Sequence, residues 1–547
     1  MIRPDLWYKE AILYQVDVRT YMDSNGDGIG DFTGLIEKLD HISNLGITCL
    51  WILPFYPSPG RDNGYDVTDH FGIDERLGNS GDFVELIREA HSRGLRVVVD
   101  LVINHTSDLH PWFQRARADP DSPFRDYYFF RERPPAGETV EQVVFEPDSD
   151  GPWTYDDESG AYYFHRFYSF EPDLNMMHPE VQKVIKKVIE YWIALGVDGF
   201  RIDAAPYLGN QPGVTHLEEE PHELLRAIRD HASSLNGDVV LLAEADVDPR
   251  KLRADFGEGR EVQLLYNFYV NNFLFLAFAR ETAGPIVRAF EALPDIPESG
   301  QWLNWIRNHD ELDLERLSED EREEVYAAFA PDDEMRVYGR GIRRRFPPMV
   351  DGDRRRMELA FSLLLSLPGT PIIRAGQEIG MGDDLSQPER WSVRTVMQWS
   401  AERHAGFSTS EREQLVRPLI ADGQFGYERV NVADQRRDPE SFLNWMVRAI
   451  GVRRECREWG HGCFEALSTD QDGVLAHTSV WNDGRVLALH NLSGTACHVR
   501  LDLGNLEQHR FLESFSDRNY ECPAQQKNEF ELGPYAYRWF RLDGTLR

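Results

Sequence analysis

The 547-residue sequence predicts an α/β chain. A (β/α)8 barrel spans residues 1–105 and 174–459, with an inserted domain at 106–173 after the third strand and a C-terminal antiparallel β-sandwich domain at 460–547. Three observations predict it. Eight short apolar runs alternate with amphipathic helical patterns; the rhythm stops between Thr106 and Asp173; and beyond a last helix near Phe442–Cys456 only short strands separated by turn signals remain. Near-continuous apolar strands between helices indicate a parallel sheet covered on both faces. Eight of them suffice to close a barrel, whose active site lies at the C-terminal strand ends.

The first three runs are AILYQVDVRTY from Ala11, ITCLWILPF from Ile47 and LRVVVDLVINH from Leu95. Between them, FTGLIEKLDHISNLG and DFVELIREAHSRG space apolar residues three and four apart and end in Gly, a helix stop. The Thr106–Asp173 stretch is rich in Pro, Asp, Gly and Tyr and too long for a βα loop. The alternation resumes with the helix PEVQKVIKKVIEYWIALG, the strand GFRIDAA from Gly199, the helix HELLRAIRDHASSL and the strand VVLLAEA from Val239. EVQLLYNF from Glu261, QWLNWIRNH from Gln301 and GTPIIRAGQE from Gly369 complete the eight strands, and GVLAHTSVW and RVLALHNLS mark the β domain.

Composition narrows the function. A net charge of −34 argues against a nucleic-acid partner and an anionic membrane surface, because phosphate affinity needs clustered Lys and Arg. Five cysteines in so long a chain make no disulfide framework, and none has zinc-ligand spacing. The N-terminus lacks a secretory pattern and no apolar stretch reaches membrane-spanning length, so a cytoplasmic location is expected.

The predicted strand ends carry a concentrated polar set. Strand three ends in Asn104 and His105, strand four carries Arg201 and Asp203, strand five ends at Glu244, and strand seven at His309 and Asp310. Carboxylates converging with His and Arg at one rim repel one another, a cost that catalysis explains better than structure does. The set suits glycosyl transfer, in which one carboxylate attacks the anomeric carbon and a second, protonated, donates to the leaving oxygen. A retaining pair needs a separation of about 5 Å, close to the ~4.8 Å between neighbouring strands.

The segments DLVINH, GFRIDAA, LLAEA and IRNHD resemble the four short motifs of the α-amylase superfamily, the retaining glycoside hydrolase family 13, in order and spacing, and EPDLN from Glu171 is similar to an additional family motif. The resemblance implies Asp203 as nucleophile, Glu244 as general acid/base and Asp310 as transition-state stabiliser, with His105, Arg201 and His309 lining the same subsite. It further implies that Tyr65 stacks under the sugar, that Asp66 binds its hydroxyls, and that Arg394 in VRTVMQW contacts it.

DSNGDGIGD offers Asp23, Asn25, Asp27 and Asp31 with the Ile29 carbonyl, alternating oxygen ligands around Gly-permitted turns that suit a structural calcium. It is not an EF-hand, because position twelve is Gly34. By the resemblance, a second calcium would use Asn104, Asp173, Tyr207 and Leu208, with Asn210 standing where relatives carry Glu.

Longer stretches, among them WILPFYPSP, YYFHRFYSFEPDLN and GIRRRFPPMVDGDRRRMELAFSLLLSLPGTP, resemble the members of the family that interconvert maltose and trehalose. The implied substrate is a small α-glucoside such as maltose or trehalose, with no organic cofactor. An exo-acting α-glucosidase or intermolecular transglucosylase stays open beside the isomerase, as does a homo-oligomer. All three acidic positions are filled, against a catalytically dead relative. Departures from that subgroup fall in RAGQE (Arg374, Gln377, Glu378), at Asp246, in GMGDDLSQPERWSV and at Val396, all expected on the acceptor side of the cleft. Trp112, Phe113, Tyr127, Tyr128 and Tyr168 are expected chiefly as the insert's own core, with a pocket wall as the other reading. Arg343–Arg345 and Arg354–Arg356 are expected on solvated helix faces paired with Glu.

Overall fold

The computed structural model describes residues 6–135, 144–145, 151–209, 212, 220–245, 249–504, 506, 509–520 and 528–545. Asn210 and Asp246 lie outside them. Eight parallel strands close a TIM barrel: β1 Leu13–Val16, β2 Cys49–Ile52, β3 Arg96–Leu101, β4 Gly199–Ile202, β5 Val240–Ala243, β6 Leu264–Tyr266, β7 Gln301–Trp305 and β8 Thr370–Arg374. Sequence neighbours are sheet neighbours, and β8 closes on β1 with Ile372 opposite Leu13. Each strand lies within one of the eight apolar runs.

The strands read as unbroken apolar runs because both faces are buried. Along β2, Cys49 and Trp51 join the barrel interior with Leu13, Val98, Leu242 and Leu303, while Leu50 and Ile52 pack outward under the helices. Helix Ser80–Ser92 starts at a reciprocal Asn79–Asp82 capping box and buries Phe83, Leu86, Ile87 and Ala90. The helical pattern before β2 is broken at Lys38 into Phe32–Glu37 and Leu39–Leu45, and ends at Gly46 (φ 94°). A Cβ at Gly46 would meet Ile450 Cγ2 at 2.7 Å, so that stop is also a packing requirement.

The inserted domain pairs helix Pro111–Ala118 with a three-stranded antiparallel sheet of Phe130–Arg131, Ala161–Phe164 and Trp153–Asp156. Phe113 packs 5.0 Å from Tyr128 and 5.1 Å from Tyr163, and Trp112 packs 5.5 Å from Tyr127, so these four expected aromatics form the insert's core. Tyr168 instead reaches the rim of the barrel. The C-terminal domain stacks a five-stranded antiparallel sheet on the pair Cys497–Arg500 and Glu529–Leu532, with Leu487, Leu489, Val499, Leu532 and Phe540 between them. It docks on the barrel through Trp539 Nε1 donating to Ser362 Oγ at 2.9 Å. Among the described residues, no helix is long and apolar enough to cross a membrane.

Two features differ from expectation. A small antiparallel sheet of Leu312–Asp313, Gly341–Ile342 and Arg336–Val337 follows β7; its two-residue strands are too short to leave a periodic signal. Arg343–Arg345 is not a solvated helix face. Arg343 and Arg345 donate to the carbonyls of Leu385 and Val393, and Arg344 pairs with Asp383 at 3.3 Å, tying the loop after β7 to the loop after β8. Arg354 and Arg355 do pair locally, with Glu358 and Asp353.

Candidate active site

Strand register assembles the site. Asp100 on β3 is the partner of Arg201 on β4, and Arg201 in turn is the partner of Leu242 on β5. Two residues further along, on the same inward face, Asp203 and Glu244 emerge side by side. The chain turns sharply there, with Ala204 in the left-handed region at φ 49°. Such strain in a non-glycine residue persists only where the surroundings over-determine it.

Arg201 organises the carboxylates. It is 1% exposed; Nη1 contacts Asp203 Oδ1 at 2.5 Å and Asp100 Oδ1 at 2.7 Å, while Nη2 contacts Glu244 Oε2 at 2.5 Å. Trp51 Nε1 donates to the other Asp100 oxygen at 2.8 Å. Burial pushes Asp100 up to about 7 against the pull of Arg201, with Asp203 adding to the rise. Burial likewise raises Glu244 to about 8; Arg201 opposes the rise, and Asp203, Asp310 and Asp100 reinforce it. That direction favours the protonated form of Glu244, the form a general acid needs.

The opposite wall is cationic. Arg390 Nη1 and Arg394 Nη2 each donate to Asp310 Oδ1 at 2.8 Å, and Arg390 Nη2 donates to Asp62 Oδ1 at 2.8 Å. Burial alone would raise the Asp310 carboxyl, but Arg390, Arg394 and Arg201 outweigh it and hold the group well below the usual carboxylate range. His309, pushed well below its ordinary value by burial, is neutral. Its Nε2 lies 2.8 Å from Tyr65 Oη and 3.0 Å from Asp310 Oδ2, its Nδ1 lies 2.9 Å from Gln15 Nε2, and the Tyr65 ring stacks on it at 5.7 Å.

Together these groups bound a cavity of about 150 Å³, lined among others by Asp62, Tyr65, His105, Glu171, Arg201, Asp203, Glu244 and Asp310. His105 Nε2 and both Glu171 carboxyl oxygens are buried there without a hydrogen-bond partner, 3.8 Å apart at their closest. Orphaned polar groups at a cavity wall are hydrogen-bonding capacity available to a polyhydroxylated ligand. Three proposed carboxylates, Arg201, Tyr65 and His105 thus meet in one space, with His309 and Arg394 directly behind.

Asp66 is placed otherwise. It is fully buried, and its carboxylate accepts from Ser58 Oγ at 2.6 Å, Arg61 N at 3.1 Å and Asp62 N at 3.3 Å. It shapes the loop, and Asp62 reaches the cavity instead. The departures in RAGQE also point away. Arg374 donates to the carbonyls of Asn308 and Val393, Gln377 to that of Arg307, and Glu378 accepts from Tyr14 Oη at 2.8 Å and contacts His41 Nε2 at 3.0 Å. Sequence reasoning missed Asp62, Asp100 and Arg390; the acidic residue three before Tyr65 was a usable signal for Asp62 alone.

The loop expected to hold calcium closes on itself. Asp23 accepts from the Asn25, Gly26 and Gly28 amides and from Ser408 Oγ, and Asp31 from Ser24 N, Ser24 Oγ and Gly34 N. Its donors are all oxygen and its turns use Gly26 (φ 81°) and Gly28 (φ 94°), the chemistry a hard cation takes. Among the described residues no group of three His, Cys, Asp or Glu is arranged to hold a metal. At the second set, Asp173 Oδ1 accepts from Arg166 N at 3.0 Å, and the Arg166 guanidinium lies over the Tyr207 ring at 4.6 Å.

The profile of the α-amylase catalytic domain matches residues 15–462. The chain belongs to the α-amylase family. A second profile, the sucrose hydrolase-like C-terminal domain, matches residues 484–541 of this family member. The enzyme is 42% identical to a trehalose synthase of Thermus thermophilus over 98% of its own length and 56% of that protein, so it spans little more than half of that relative. It is 39% identical to a trehalose synthase of Pimelobacter sp. (strain R48), covering 98% of this chain and 96% of that one. Among solved structures it superposes on an isomaltulose synthase of Erwinia rhapontici NX5 in complex with D-glucose (TM-score 0.80, 25% identity, 98% and 99% covered). The fold is shared with the trehalulose synthase of Pseudomonas mesoacidophila MX-45 (TM-score 0.78, 24% identity, 98% and 99% covered).

Proposed function

We propose that this enzyme isomerises a small α-glucosyl disaccharide, interconverting maltose and trehalose in the cytoplasm by retaining glucosyl transfer inside one closed cavity. Asp203 attacks C1 and forms a β-glucosyl ester while Glu244 gives its proton to the departing glycosidic oxygen. The freed glucose turns within the cavity and attacks C1 through its own anomeric hydroxyl. The ester bond breaks, the new C1–O bond forms, and that hydroxyl's proton returns to Glu244. Asp310 and Asp62, gripped by Arg390 and Arg394, present acceptors to the hydroxyls of the transferred ring.

The observation that supports the reading is the Arg201 fork, which brings Asp203 and Glu244 to one guanidinium. The relatives' names supply the preference for isomerisation. Incubation with maltose, with products resolved by chromatography, is expected to give trehalose and little glucose; glucose alone would reject the isomerase. Asp203→Ala is expected to abolish α-glucoside turnover.

The Asp23–Asp31 loop would hold a structural calcium through Asn25, Asp27 and the Ile29 carbonyl together with Asp23 and Asp31, tying the segment after β1 to Ser408. Chelation by EDTA should then lower the thermal midpoint, calcium should restore it, and Asp27→Asn should weaken that response. The set Asn104, Asp173, Tyr207 and Leu208 is proposed as a second, weaker site on the same assay.

A further inference from the structure

Three segments far apart in sequence meet at the rim of the cavity. Tyr168 follows the strand Ala161–Phe164 of the inserted domain, Tyr338 sits in the turn between Arg336–Val337 and Gly341–Ile342, and Glu389 opens the short turn Glu389–Val393 beyond β8. The Tyr168 and Tyr338 hydroxyls both donate to Glu389 Oε2 at 3.0 Å and stand 3.4 Å from each other. The backbone supplies a second observation. Tyr338 (φ 55°) and Glu389 (φ 42°) are both left-handed, a region that bulky residues enter only when their surroundings hold them there. The residue next to Glu389 is Arg390, which lines the cavity, bridges Asp62 to Asp310, and places Nη2 3.4 Å from Tyr168 Oη.

We infer that Tyr168, Tyr338 and Glu389 form a clasp, holding the inserted domain against the loops after β7 and β8, and that this clasp sets how the glucosyl-enzyme divides between a retained sugar and water. The inference rests on the isomerase reading. In either fate the C1–Asp203 ester bond breaks, a C1–O bond forms to the acceptor, and the acceptor's proton goes to Glu244; only the identity of the acceptor differs. Water enters when the rim opens, because hydrolysis is the competing fate of a glucosyl-enzyme. The clasp residues stand behind Arg390, so their role is positioning.

The double variant Tyr168→Phe/Tyr338→Phe removes both donors and keeps both rings. Glucose released per trehalose formed from maltose should rise roughly tenfold to a hundredfold, the worth of one hydrogen bond to a carboxylate. The burst of p-nitrophenol from p-nitrophenyl α-glucoside, which reports ester formation, should not change. Glu389→Gln, whose amide oxygen still accepts from both phenols, should keep the wild-type partition, and Glu389→Ala should match the double variant. An unchanged partition in the double variant overturns the clasp, and so does a parallel loss of burst and partition. If the wild type makes no trehalose, the isomerase reading falls. The clasp is then tested on the ratio of transfer product to free glucose with p-nitrophenyl α-glucoside as donor and glucose as acceptor, which the double variant should lower.

Discussion

Arg201→Lys probes the fork at the centre of the site. Arg201 reaches Asp203 from one end of its guanidinium and Glu244 from the other, both at 2.5 Å, while sharing Asp100 at 2.7 Å. Lysine keeps the charge but offers one compact ammonium on a flexible stem, which cannot hold two carboxylates from two fixed directions. A hydrogen bond to a charged group is worth about 1.5–3 kcal/mol, so losing one end alone lowers kcat/KM by roughly tenfold to a hundredfold. A nucleophile misplaced by about 1 Å costs on the order of another hundredfold. The expected loss is therefore about 10³–10⁴-fold, measured as kcat/KM on p-nitrophenyl α-glucoside. Arg201→Met, of similar bulk without the charge, leaves buried carboxylates unpaired and should also destabilise the fold by about 3–5 kcal/mol in denaturant titration. A lysine variant within tenfold of wild type would refute the claim that the fork, rather than the charge, builds the site.

Three further outcomes follow from the same geometry. Glu244→Gln cannot donate a proton, so turnover of maltose should fall by about 10²–10⁴-fold, whereas α-glucosyl fluoride, whose leaving group needs no acid, should still form the glucosyl-enzyme; mass spectrometry of the quenched protein detects the adduct. With Glu244 raised by burial to about 8, kcat/KM on maltose should decline as pH rises through about 8. The sign for stability is the same: a carboxyl raised above its ordinary value of 4.5 contributes fully below that value and loses the contribution between there and about 8, so over that window the thermal midpoint should fall more in wild type than in Glu244→Gln. Arg390→Ala leaves Asp310 to Arg394 alone and Asp62 without its 2.8 Å partner; kcat/KM should fall by about 10²–10⁴-fold, in line with the ~3–5 kcal/mol cost of breaking a buried pair.

The barrel was legible because its strands are buried on both faces and its helices on one, and these two conditions leave distinct periods in the sequence. Asp203, Glu244 and Asp310 were legible because each stands at the end of such a strand within a short family motif. Asp100 was not, since a carboxylate in mid-strand reads as an interruption of the apolar run until register sets it opposite Arg201. Asp66 was misplaced because Tyr65 and Asp66 are adjacent, and a turn closed by Ser58 and Arg61 sends one inward and the other behind. Arg390 was hidden in a segment whose short turns carry no periodicity, 80 residues from the Asp310 it binds. The Arg343–Arg345 cluster showed the opposite error. Charge runs usually face water, but here the guanidiniums find backbone carbonyls in neighbouring loops.

The protonation pattern of the site follows from its packing. Asp100, Asp203 and Glu244 share a single guanidinium at the barrel mouth, three acids against one cation, whereas Asp310 and Asp62 share two, Arg390 and Arg394. Like charges confined in low dielectric cannot all be borne, so part of the first group must keep its protons, and Asp100 and Glu244 are the two whose values burial raises. Of these, Asp100 lies one step deeper than Asp203, fully buried and fixed by Trp51, while Glu244 is the more open and lines the cavity. A proton held there for electrostatic reasons is also the one a leaving oxygen can reach. The same crowding that makes the carboxylates costly to assemble thus favours a proton on Glu244, which is what the proposed acid role requires.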